Sequence, residues 1–129
     1  MDAAALAELP IFSSMPPHDR DRFVNVCSDL VVEAGTTLVT EGDFGFAMFV
    51  IRDGTADVLQ NETVLRSLGP GDVFGEIAVL SSGRRTATVV ARTPMRLVTL
   101  LNRDVWRLER ESPELGVALR ASIAEYHER

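Results

Sequence analysis

Between residues 29 and 101 the chain alternates short β-rich apolar runs with turn residues, and this punctuation constrains the fold more than any other feature. The runs lie in "LVVEAGTTLVTEGD", "FAMFVIRDGTADVLQ", "ETVLRSLGPGDVFGE", "RTATVVAR" and "MRLVTLL". The breaks fall at Gly35, Gly42-Asp43, Asp53-Gly54, Asn61-Glu62, Gly69-Pro70-Gly71-Asp72 and Thr93-Pro94. Strands spaced about 8–12 residues apart point to a sandwich, jelly roll or small barrel. No strand–helix alternation is present, which disfavours a doubly wound parallel sheet.

The flanks read as helical. "AALAEL" suits a short helix stopped by Pro10. "SSMPPHDRDRFVNVCSDL" follows, with Phe23, Val26, Cys27 and Leu30 at the spacing of one buried helix face. Asn102 is placed to cap "RDVWRLERE", with Asp104 in the first turn. Ser112-Pro113-Glu114 opens a last helix, along which Leu115, Leu119, Ile123 and Tyr126 form a stripe. The expected class is mainly β with flanking helices: one domain over 1–129, with N-terminal helices (1–28), an eight-stranded β-roll (29–101) and two C-terminal helices (102–129).

Composition narrows the functions. At 129 residues, 46% hydrophobic and 25% charged, the chain has the balance of a globular domain with one core. Its longest apolar runs, "AMFVI" and "LVTLL", fall far short of the roughly 18 residues of a membrane span. The N-terminus has no basic stretch of the kind that opens a signal peptide. A single cysteine, Cys27, allows no internal disulfide and fits a cytoplasmic protein; a buried structural thiol is expected there. A net charge of -6 argues against direct nucleic-acid binding. The two histidines, His18 and His127, are too few and too far apart for a metal-binding roll or a Ser–His nucleophile. No catalytic role and no cofactor are expected.

One stretch does not fit a plain core. "FGEIAVLSSGRRTATV", residues 74 to 89, sets a carboxylate and two arginines around a small-residue loop between two strands. Such groups are costly to bury without partners. A helical turn starting near Glu76 presents free N–H groups suited to an anion. An arginine at 84 or 85 suits phosphate oxygens, and Glu76, an acceptor, suits sugar hydroxyls. The alternative is that Glu76 and one arginine pair with each other across the turn.

The segment resembles the phosphate-binding cassette of the cyclic nucleotide-binding domain superfamily, which includes catabolite activators, protein-kinase regulatory subunits and cyclic-nucleotide-gated channels. The likeness rests on Phe74-Gly75-Glu76-Ile77-Ala78-Val79-Leu80 followed by Arg84-Arg85-Thr86-Ala87-Thr88-Val89, within a cassette over 74–88. "GDFGFAMFVIRDGTADVL", "LGPGDVFGE" and "LAELPIFSSMPPHDRDRF" extend it over nearly the whole chain. The resemblance implies that Arg85 binds the cyclic phosphate and Glu76 the ribose 2′-hydroxyl. Backbone N–H groups of Gly75, Ile77, Ala78 and Thr86 or Ala87 join the phosphate site. Arg84 departs from the family's usual proline and reads as a solvated charge.

For the base, the resemblance points to Leu68, with Val64, Val73 and Thr86 beside it and with Ile123 and Tyr126 as the lid. It implies cAMP as ligand ahead of cGMP. Binding would draw the cassette inward and move the C-terminal helices over the base. No helix-turn-helix follows before Arg129. The output then belongs to a partner protein, to a second copy joined through the C-terminal helix, or to a further domain. The rival reading is a non-binding interaction module that keeps the fold.

Overall fold

The computed structural model describes residues 1–76 and 84–128. Three short helices come first: α1 (Ala3–Ala7), α2 (Pro10–Ser13) and α3 (Pro17–Phe23), with a 3-10 turn over Val24–Val26. Eight strands follow: β1 (Cys27–Val32), β2 (Thr37–Val39), β3 (Ala47–Asp53), β4 (Ala56–Gln60), β5 (Thr63–Leu68), β6 (Val73–Phe74), β7 (Thr88–Ala91) and β8 (Met95–Leu101). Helices α4 (Asn102–Glu111) and α5 (Pro113–His127) close the chain. The strands form two four-stranded antiparallel sheets, ordered β1-β8-β3-β6 and β2-β7-β4-β5. This is the expected β-roll with flanking helices. Among the described residues no helix is long and apolar enough to cross a membrane.

The first sheet explains the unbroken apolar runs. In β3, Ala47, Phe49 and Ile51 face the interior of the roll, while Met48 and Val50 face the helices. In β8, Met95 and Leu97 go inward, and Val98 and Leu100 go to the helical side. Both faces of this sheet are covered, so alternation disappears from the sequence. Two cores result. One lies inside the roll, where Phe49 and Phe74 stack at 4.9 Å. The other joins the helix-facing side of the sheet to Leu6, Ile11, Phe12 and Phe23 of the N-terminal helices and to Val105, Leu115, Leu119 and Ile123 of the C-terminal ones. Burying these side chains is worth about 1.5–3 kcal/mol each, which makes α5 part of the fold rather than an appendage.

Several local expectations change. Pro10 is the first residue of α2, where its missing N–H costs nothing, rather than only the end of α1. The helix after Pro16 stops at Phe23, and Cys27 and Leu30 lie on a strand. Pairing of β1 with β8 from Cys27↔Leu100 to Val32↔Met95 overrides the local helical spacing. Asn102 does not cap α4: Leu101 holds the cap position, and the Asn102 side-chain amide donates to the Gly45 carbonyl at 3.4 Å. Ser112 occupies the cap position of α5, but its hydroxyl accepts from Arg22 Nη1 at 2.8 Å instead of capping. Cys27 is 6% exposed, and burial pushes its thiol up to about 12, as expected of a structural cysteine.

Candidate functional site

The roll brings the ends of β6 and β7 to one mouth. β6 finishes at Phe74 and passes into Gly75, whose φ of +75° turns the chain outward before Glu76. On the other side, residues 84–87 lead into β7 and are pinned before they reach it. Gly42 N–H donates to the Arg85 carbonyl at 2.9 Å, and Arg85 N–H donates to the Asp43 carbonyl at 2.6 Å. Gln60 Nε2 donates to the Thr86 carbonyl at 3.2 Å. These bonds fix the backbone of the segment that enters β7.

Arg85 is the best-defined side chain of the site. Its Nη2 donates to the Ala47 carbonyl at 2.8 Å and its Nη1 to the Gly75 carbonyl at 3.1 Å. Burial pushes the guanidinium pKa down while the Glu76 charge opposes that shift, and an arginine remains charged at neutral pH. Among the described residues no carboxylate forms an ion pair with it. Gly75 is what lets the guanidinium sit there. A Cβ at that position would meet Arg85 Nη1 at 2.6 Å and the Ala47 carbonyl at 2.9 Å.

Among the described residues Glu76 pairs with no arginine, Arg84 and Arg85 included, so the alternative raised from the sequence does not hold. Its Oε1 lies 2.7 Å from His127 Nε2, at the end of α5. Arg84 is exposed yet engaged: Nη1 donates to the Gly42 carbonyl at 2.8 Å, and the guanidinium sits 4.4 Å from the Phe44 ring centroid. That cation–π contact holds the charge at the rim of the cavity. The expectation of a merely solvated charge therefore gives way to an anchored one.

Between these groups lies a cavity of about 160 Å³. Its apolar wall comes from Val39, Val58, Phe74, Ala87 and Val89; its polar wall comes from Gly75, Glu76, Thr86, Arg66, Arg84 and Arg85. Three arginines share its lining with one carboxylate, inside a chain of net charge -6. The local potential is positive where the protein as a whole is acidic, which favours a small anion with an apolar body.

Of the residues singled out from the sequence, the fold brings Gly75, Glu76, Arg85, Thr86 and Ala87 to this cavity. Ile77 and Ala78 lie outside the described residues. Of the expected base contacts Thr86 lies in this cavity, and Leu68, Val64, Val73, Ile123 and Tyr126 are not in its lining. Leu68 is 4% exposed inside the roll, and Val73 faces the helical core on the other side of the sheet. Val64 is exposed on β5, and Ile123, at 1% exposure, is packed in the helical core. Tyr126 donates its hydroxyl to Asp72 Oδ1 at 3.1 Å, in a shallow concavity beside the main one.

Arg66, Val39, Val58, Val89 and His127 were missed. Arg66 shares sequence parity with Leu68 on β5 and pairs across to Val58, a signal that was available. His127 offered none, because its contact depends on how α5 packs.

A small β-roll with an arginine held inside its wall defines a ligand-binding module. The family model described as "cyclic nucleotide-binding domain" matches residues 30–112, and the chain belongs to that family. It is 37% identical over 97 residues to the cAMP-dependent protein kinase regulatory subunit of Yarrowia lipolytica, a match that covers 74% of this chain and 26% of that protein. The chain thus spans about a quarter of the length of the curated relatives it matches. Among solved structures, the N-terminal domain of a transcriptional regulator from Streptomyces coelicolor A3(2) superposes with a TM-score of 0.80 at 26% identity, covering 96% of this chain and 92% of that one. A cAMP-bound PfPKA-R fragment superposes at 0.78 with 25% identity, covering 98% and 44% respectively.

Proposed function

We propose that this chain is a cyclic-nucleotide sensor with cAMP as its ligand, and that it performs no catalysis itself. The observation that carries the reading is Arg85: a part-buried guanidinium held by two backbone carbonyls, without a carboxylate partner among the described residues, facing a cavity. Its remaining donors are free for phosphate oxygens, which match the planar fork. Glu76 accepts from the ribose 2′-hydroxyl. The backbone N–H groups of Gly75, Ile77, Ala78, Thr86 and Ala87 complete the phosphate site, and Val39, Val58 and Val89 cover the sugar and base. The relatives named as kinase regulatory subunits support cAMP over cGMP and a kinase as one form of effector. Binding alters the contacts of α5 and so passes the signal to that partner, in the cytoplasm.

One observation favours cGMP as a second reading. Arg66 and Thr86 both line the cavity, and an arginine turned toward the base would offer two donors to the O6 and N7 acceptors of guanine. Calorimetric titration with both nucleotides separates these readings. Micromolar or tighter binding of cAMP is expected, about tenfold weaker in Glu76→Gln, which loses a charge-assisted bond to the ribose. Tighter binding of cGMP, lost in Arg66→Ala, moves the assignment to the second reading. A folded chain that takes up neither nucleotide is an interaction module.

A further inference from the structure

The carboxylate assigned to the ribose is already in use. His127, the final residue of α5, places Nε2 2.7 Å from Glu76 Oε1. That is ion-pair distance for a protonated imidazole against a carboxylate. The Glu76 side chain is 13% exposed and lines the main cavity, whereas the imidazole is 48% exposed and meets the carboxylate from the shallow concavity beside it.

The neighbouring contact has a different position. Tyr126 bonds to Asp72, whose other oxygen accepts the Gly69 N–H at 2.7 Å. Tyr126 and Asp72 lie with Arg66 and His127 in the shallow concavity, outside the wall of the main cavity. The end of α5 is thus fastened twice to the segment that feeds the site. One fastening lies outside the ligand's space, and the other sits on the ligand's own acceptor.

We propose that His127 is an internal competitor for Glu76, holding the ribose-binding carboxylate until a cyclic nucleotide displaces it. The proposal rests on the assignment of Glu76 to the ribose. A carboxylate only accepts, and an oxygen with an imidazole nitrogen already 2.7 Å away is a poorer acceptor for a hydroxyl. Filling the site therefore frees His127, while Tyr126–Asp72 keeps the helix end close by. Linkage makes the effect reciprocal: whatever holds His127 on Glu76 weakens nucleotide binding by the same factor. A half-exposed pair of this kind has a modest strength, corresponding to about a two- to fivefold change in affinity.

The test is cAMP titration of the full chain, of His127→Ala, of Glu76→Gln and of the double variant. Competition predicts that His127→Ala binds cAMP about two- to fivefold more tightly than the wild type. It also predicts that the gain shrinks once Glu76 is Gln, since a neutral amide oxygen holds the imidazole more weakly than a carboxylate does. A gain that persists in full in the Glu76→Gln background assigns His127 a merely structural role and overturns the proposal. Equal or weaker binding by His127→Ala overturns it too, and leaves the nucleotide site standing. If neither the wild type nor His127→Ala binds cAMP, the reading of the site fails and the competitor falls with it. Binding by His127→Ala alone is the strongest form of support.

Discussion

Arg85→Ala is expected to lose cAMP binding by about two to three orders of magnitude while the chain still folds. Truncating one partner of a hydrogen-bonded charge pair costs about 2–5 kcal/mol, or roughly 30- to 5,000-fold in Kd. Here the guanidinium also carries a structural duty, because it ties the Gly75 and Ala47 carbonyls across the mouth of the roll. Removing it leaves these two acceptors to water or to nothing, at a cost of about 1–3 kcal/mol for each that stays buried. The variant is therefore less stable as well as blind to ligand. Circular dichroism together with calorimetry separates the two effects. Arg85→Lys keeps the charge but cannot fork between two carbonyls and a phosphate, so intermediate affinity is expected. An alanine variant that binds cAMP as tightly as the parent contradicts the assignment of Arg85.

Ile123→Ala is expected to act on stability and not on affinity. Ile123 is 1% exposed among Leu115, Leu119 and the side chains of the N-terminal helices. Deleting a fully buried isoleucine to alanine costs about 2–5 kcal/mol through lost transfer energy and the cavity left behind. For a domain of 129 residues this lowers Tm by roughly 7–18 °C. Once corrected for the folded fraction, cAMP affinity stays within about twofold, because distant sites behave additively. The opposite pattern, unchanged Tm with lost affinity, would restore Ile123 to the role of lid.

The fold was legible where the chemistry was local. Gly54 illustrates this: with φ at +93°, a Cβ there would run into the Pro94 carbonyl, so the turn leaves its mark in the sequence. Asn61, with φ of 51°, marks its turn through a residue type that tolerates the left-handed region, whereas Glu62, at 67°, gives no such sign. Cys27 and Leu30 were misread because two positions three apart suit a helix face, while the strand they join depends on β8, near the far end of the roll. No local window contains that partner.

The site divides along the same line. Glu76 and Arg85 flank one loop and could be found together, whereas Val39, Val58 and Arg66 arrive from three other strands and meet them only when the roll closes. The stripe of Leu115, Leu119 and Ile123 identified a buried face correctly. Periodicity cannot say which layer buries it. Here the N-terminal helices do, and the lid expected at Ile123 becomes core.

The most direct test of the account is the amide NMR spectrum of the isotope-labelled chain during titration with cAMP. The account predicts saturable shifts concentrated at Gly75, Glu76, Arg85, Thr86 and Ala87, with smaller ones at the end of α5 near His127 and none across α1–α3. Absence of shifts at saturating nucleotide, or shifts confined to the groove between His18 and Glu111 on the far helices, would contradict it.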